Sequence, residues 1–304
     1  MKSQMTMRTW IALAATLVLW ASAFAGIRVG LKGYSPAHLA LFRFSVASVV
    51  LGIYASRAHF RLPRWRDVPR FALTGLIGIS LYNLALNSGE VAVSAGVSSL
   101  LIASAPIWVA LLSIALGERL TALGWGGVCT SFAGVAMIAA GEGGGIHLSA
   151  AALLLAAAAL FSAIYIVMQK QLLQTYNALE VTTYSIWAGT IFLLPFGIGL
   201  GRVIHTAPVG ATLAIVYLGI FPAAIAFTAW AYALSHGPVN RISSFLYLVP
   251  VLALVIAWFW LGEVPRMLSL LGGVVALGGV VIVNVLGKTT GPKVITTAPA
   301  KSVA

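Results

Sequence analysis

Apolar residues run through the chain in blocks of about twenty, separated by short charged or Gly/Pro-rich breaks. Cutting at those breaks gives ten segments, approximately 10–30, 35–55, 70–88, 94–116, 121–140, 149–170, 178–200, 210–235, 241–261 and 267–286. A helix rises about 1.5 Å per residue, so a block such as SSLLIASAPIWVALLSIALGE at 98–118 covers roughly 31 Å, the thickness of a bilayer's hydrocarbon. Each block predicts a transmembrane helix. The first ends in ASAFA and, with Lys2 and Arg8 before it, also has the outline of a signal peptide.

The blocks repeat. Residues 243–263, SSFLYLVPVLALVIAWFWLGE, echo 98–118, and Ser98/Ser243, Ser99/Ser244, Gly117/Gly262, Glu118/Glu263, Gly127/Gly272 and Gly134/Gly279 all differ by 145 positions. Pro106 and Pro250 match after a slip of one. A fainter echo with offset 141 pairs Trp20 with Phe161 and Phe24 with Tyr165. The chain therefore divides into two five-helix units, 1–145 and 146–288, joined near GEGGG, with a tail at 289–304. Five is odd, so the second unit enters the membrane upside down relative to the first. Inverted repeats are an architecture of secondary transporters, in which a site between two similar halves opens to one side and then the other. The predicted fold class is an all-α integral membrane protein, ten transmembrane helices as two inverted five-helix repeats. Cleavage after the first block would leave the block at 149–170 without its partner, which argues against the signal-peptide reading.

Composition agrees with this picture. Of the 304 residues 61% are hydrophobic and 8% charged, with mean hydropathy +1.01, whereas soluble domains carry about a quarter charged residues. The net charge of +12 would suit nucleic acid only if the basic residues formed one exposed face, and here they sit between apolar runs. The lone Cys129 excludes an intrachain disulfide and a cysteine metal cluster. With ten spans and the N-terminus inside, thirteen Lys/Arg fall on the inner side and four on the outer (Arg28, Lys32, Arg202, Arg266), with Arg43 inside a span. The excess of positive charge puts both termini in the cytoplasm and makes SRAHFRLPRWRDVPR the main cytoplasmic anchor.

W-A-S-A-F in the first block, L-F-R-F at 41–44, and the paired proline followed by L-G-E, in ten blocks arranged as two halves, resemble the EamA branch of the drug/metabolite transporter superfamily. Within it the chain is similar to the YddG-type amino-acid exporters. That resemblance implies efflux of L-amino acids across a bacterial inner membrane. The sixth block has Phe161 where the family often has Trp.

Proline inside a helix frees the carbonyl four residues earlier, here Ile102, Leu218 and Leu246, and irregular backbone at depth belongs beside protein or a water-filled cavity. Pro106, Pro222 and Pro250 are thus candidate hinge or gate positions. Gly75, Gly78 and the polar run Y82NLALN87 bring the third block to the same pathway, with Asn83 and Asn87 on one helical face and Phe227, Thr228 and Tyr232 as inverted counterparts. Trp20, Tyr82, Tyr165, Trp187 and Trp230 lie too deep for an interfacial belt and are candidates to line a cavity, whereas Trp10, Trp125, Trp258 and Trp260 sit near segment ends. The candidate substrate-binding set is Trp20, Ser22, Phe24, Tyr82, Asn83, Asn87, Ser99, Tyr165, Thr228, Trp230, Tyr232, Ser244 and Tyr247. Ser98, Ser99, Ser104, Ser243 and Ser244 have a second reading, in helix packing, and Gly126, Thr130 and Gly134 read as a packing ridge. Arg43 needs a partner at its depth: a substrate carboxylate is one use, and a structural bond to backbone carbonyls is the favoured one.

The six acids, Asp67, Glu90, Glu118, Glu142, Glu180 and Glu263, all fall at block ends or in loops. Proton-driven pumps carry ionisable residues in mid-membrane, so gradient-driven facilitation is expected, with proton coupling as the alternative. Without a deep acid or several deep cations, the expected cargo is uncharged or zwitterionic, held by polar groups and helix ends against aromatic walls. Other metabolites or drugs are the alternative cargo. No HExxH, no GxSxG and no mid-span His argue against an enzyme. No cofactor, metal, nucleic acid or obligate protein partner is expected; the partners are a small-molecule substrate and the lipid bilayer.

Overall fold

The computed structural model describes residues 6–57, 60–115, 121–143, 150–236, 242 and 245–286. Ser244, Glu118 and the tail at 289–304 lie outside the described residues, as do the last two residues of the GEGGG junction. Within them the apolar blocks are helices. α1 (Met7–Gly30) starts where the Thr6 hydroxyl accepts the N–H of Thr9, and α2 (Pro36–Arg57) starts on a proline, whose fixed φ suits a first turn.

The third block is one long rod with a wide turn in it: α3 (Val68–Gly75), a π-helical stretch Leu76–Leu81, then α4 (Tyr82–Glu90). The eighth block repeats that construction as α11 (Val209–Leu218), a π-helical stretch Gly219–Ile225 and α12 (Ala226–Ser235). There the wide turn takes in Pro222, which has no N–H to give and whose ring conflicts with the carbonyl one turn back. The fourth block is interrupted between α5 (Ala95–Ile102) and α6 (Ala105–Ala115), just before Pro106, and the ninth begins with a 3-10 turn, Phe245–Tyr247, ahead of Pro250.

The remaining helices are α7 (Ala122–Gly143), α8 (Ala150–Leu172), α9 (Ala178–Leu193), the short α10 (Leu200–Thr206), α13 (Leu248–Leu261) and α14 (Met267–Leu286). Among the described residues five helices are long and apolar enough to cross a bilayer, and a sixth span is available if Ala178–Gly197 and Leu200–Thr206 count as one element bent by 83° at Gly199. Ala95–Val109, Ala122–Ile138, Phe245–Leu261 and Met267–Val283 form shorter apolar helices.

α7 and α14 pack along small residues. A Cβ at Gly134 would strike the backbone of Ala276, one at Gly127 would come 2.8 Å from the Gly279 carbonyl, and Ser131 Oγ donates to the Ala276 carbonyl at 2.8 Å. The expected ridge was Gly126, Thr130 and Gly134; Gly126 meets open space, and the contact stripe is Gly127, Ser131 and Gly134, the face that points inward.

At the end of the bundle where α3 begins, the segment from Phe60 to Arg70 is tied to α8 and α9. Glu180 accepts from the N–H of Arg61 at 3.0 Å and from that of Asn177 at 2.9 Å, the second bond being half of a capping box. Tyr176 accepts from the Arg64 N–H at 3.0 Å and donates to Asp67 at 2.8 Å. The opposite end lies a full rod away, since Trp65–Gly89 is a 25-residue span, roughly 37 Å at helical rise.

Candidate functional site

The irregular helices meet at a cavity of about 100 Å³. One water needs about 10–15 Å³ of such space, so there is room for several waters or a small organic molecule. Both halves of the chain line it. α1 gives Trp20 and Phe24, α2 Arg43, the first π-helical stretch Gly78, and α4 Tyr82; α8 gives Ser162 and Tyr165, α12 Phe227 and Trp230. The interrupted fourth and ninth blocks add Ser99, Ile102 and Ala103, and Leu246, Tyr247 and Pro250. Gly78 is required here: a Cβ on it would strike the Tyr165 side chain at the root of its ring.

The walls are mainly aromatic. Trp20 lies 5.4 Å from Trp230 and 5.3 Å from Phe227, and Phe227 lies 6.0 Å from Tyr165, ring centre to ring centre. Trp20 is fixed by a bond from its ring N–H to the carbonyl of Pro222 at 3.3 Å. Two of the residues that line the cavity each carry a buried donor with no acceptor among the described residues, Arg43 Nε and Trp230 Nε1. Buried donors without acceptors are uncommon and mark places where a water, ion or ligand is to be supplied.

Several candidates sit elsewhere. Ser22 bonds Tyr217 at 2.7 Å and the Leu19 carbonyl. Asn83 donates to the Ile79 carbonyl and accepts from Arg43 Nη1 at 3.2 Å, so Arg43 is held by a side-chain amide where backbone carbonyls were expected. Asn87 donates to the Pro36 carbonyl. Thr228 bonds back to Ala224, and Tyr232 lies against His236. Trp187 is also away from the cavity, donating to the Ser48 carbonyl beside Phe60 and Tyr184. Ser162, Leu86 and Ile166 line the cavity without having been singled out, and Ile102, expected there for its freed carbonyl, lines it too. Ser162 alone carried a signal, as it sits inside the repeated segment next to Phe161.

A second polar cluster closes the end of the bundle away from the Phe60–Arg70 segment. Arg28 Nε pairs with Glu263 Oε1 at 3.1 Å, Arg28 Nη1 donates to the main-chain carbonyl of Glu90 at 2.6 Å, and Glu263 Oε2 accepts from the N–H of Ala95 at 2.9 Å. These bonds join α1, α4 and α5 of the first half to the end of α13 in the second.

Comparison with known proteins places this geometry. A family model described as the EamA-like transporter family matches residues 7–140 and again 149–285. A probable terminal-alkyne amino-acid exporter of Streptantibioticus cattleyicolor is 47% identical over 274 residues, covering 90% of this chain and 92% of that protein. The transporter YdfC of Bacillus subtilis is 43% identical over 276 residues, with 90% of each covered. A crystal structure of a protein 19% identical in sequence superposes with a TM-score of 0.63 over 90% of this chain and 95% of its own, a likeness of fold alone.

Proposed function

From the premise that the chain belongs to the EamA-like transporter family, and is a multi-pass membrane transporter and not an enzyme, we propose that it exports L-amino acids across a bacterial inner membrane by alternating access. In this reading ten spans form two inverted repeats, residues 1–145 and 146–288, with both termini in the cytoplasm. The twice-matched family model and the paired π-helical stretches in the third and eighth blocks support the repeat. The excess of inner Lys and Arg supports the orientation.

The observation that carries the cargo class is the cavity: aromatic walls, and lining residues Arg43 and Trp230 that each keep a buried donor without an acceptor among the described residues. Donors in that state suit a carboxylate, and the rings suit a variable, largely hydrophobic or aromatic side chain. Ser99 and Ser162, with the carbonyls that Pro106 and Pro250 leave free, are available to the ammonium group. Pro106, Pro222 and Pro250 stand at the irregular points about which helices bend during the exchange. Among the described residues no acid lines the cavity, and in this reading movement follows the cargo's own gradient. The name of the S. cattleyicolor relative points to the same cargo class.

Counterflow in proteoliposomes tests the reading. Labelled aromatic and aliphatic L-amino acids are expected to exchange, and their amides, which lack the carboxylate, to compete weakly. Exchange with drugs or other metabolites and none with amino acids would replace this cargo with the alternative one.

A further inference from the structure

Glu90, the last residue of α4, is fully buried, and neither of its carboxyl oxygens has a hydrogen-bond partner among the described residues. A bare buried carboxylate costs several kcal/mol, so such a group is carried protonated and not as an ion. Yet its setting is charged. The guanidinium of Arg28 on α1 already rests on Glu90's own carbonyl while bridging to Glu263 beyond α13. Among the described residues, Arg43 on α2 and Tyr82 on its own helix are the other titratable or charged groups whose charge is felt at Glu90. The α8 atoms nearest the neighbouring Gly89 are the Leu155 side chain and the Ala151 carbonyl, and the buried Ser94 hydroxyl before α5 is also without a partner among the described residues.

One arginine thus bonds the carboxylate of Glu263 and the main chain of Glu90, whose own carboxyl is left without a partner among the described residues. We propose that Glu90 is a proton-binding site that sets the outer gate. With Glu90 neutral, Arg28 stays on Glu263 and ties the two halves together; when the proton leaves to external water, the Glu90 carboxylate draws Arg28 away and frees Glu263. The closed arrangement binds the proton more tightly than an open one in which water reaches the carboxyl. Closure is therefore favoured at low external pH and lost as the pH rises, by up to about tenfold in the gate equilibrium per pH unit. The proton acts as a gate ligand, and no step carries it across the membrane. The inference rests on the orientation given above, which places Arg28 at the outer face, and is independent of the cargo.

The test reads gate opening without cargo. In a Cys129→Ser background, Ala23→Cys puts a thiol on the cavity wall, and an impermeant maleimide is applied from outside. Rates are normalised to Ile198→Cys, a position 90% exposed, to remove the intrinsic pH dependence of the thiol. Labelling is expected to rise several-fold with external pH, to stay low at every pH in Glu90→Gln, and to stay high at every pH in Glu263→Gln. A flat profile in the parent, or a pH response that survives Glu90→Gln, would overturn the proposal. So would a response only to pH and reagent on the cytoplasmic side. Failure of amino-acid counterflow leaves these outcomes untouched, so the two readings fall separately.

Discussion

Two acids at opposite ends of the bundle are equally buried and differently used. Glu180, 1% exposed, has one oxygen on the Arg61 N–H and the other on the Asn177 N–H. Glu90, 0% exposed, has neither oxygen bonded among the described residues. A carboxylate with its lone pairs taken by main-chain donors is stable as an ion and holds its surroundings in place. One without donors is neutral in the same setting and acts on its neighbours when it ionises. The end around Glu180 is accordingly an anchor for the Phe60–Arg70 segment, and the end around Glu90, on the gating proposal, a latch built on Arg28.

The contrast predicts a graded series. Glu180→Ala removes the capping box and the acceptor for Arg61, and should lower stability by about 2–4 kcal/mol, read as a drop in melting temperature of the detergent-solubilised protein. Tyr176→Phe keeps the ring and loses the bonds to Arg64 and Asp67, a cost of about 1–1.5 kcal/mol with the outer pH profile intact. Arg28→Gln breaks a partly exposed pair, so screening keeps its contribution to about 1 kcal/mol, roughly a fivefold rise in cavity labelling from outside. Glu90→Gln should shift stability by less than about 0.5 kcal/mol, because the amide replaces a carboxyl that is already neutral, while abolishing the pH response. Comparable destabilisation by Glu90→Gln and Glu180→Ala would erase the distinction between anchor and latch.

Much of the architecture was legible from the blocks of apolar residues, since a helix that must satisfy its own backbone in lipid leaves few alternatives. The deep aromatics Trp20, Tyr165 and Trp230 were legible for a related reason: indole and phenol groups far from a block's end have no headgroup region to occupy. Register was less so. The α7 stripe keeps Gly134 but takes Gly127 and Ser131 in place of Gly126 and Thr130, because Gly126 and Gly127 are chemically alike and only packing against Gly272, Ala276 and Gly279 tells them apart. The partnership of Arg43 with Asn83, the placement of Trp187 beside Ser48 and the burial of Glu90 all depend on contacts between helices distant in sequence. A position at the end of an apolar block says nothing of what another block lays over it.

Efflux from proteoliposomes with equal pH on both sides tests the account most directly. Labelled amino acid should leave down its own gradient, with Arg43→Gln and Trp230→Phe slowing it while the protein remains folded. Retention of the label until a proton gradient is imposed would contradict a cavity that moves neutral cargo without an acid of its own.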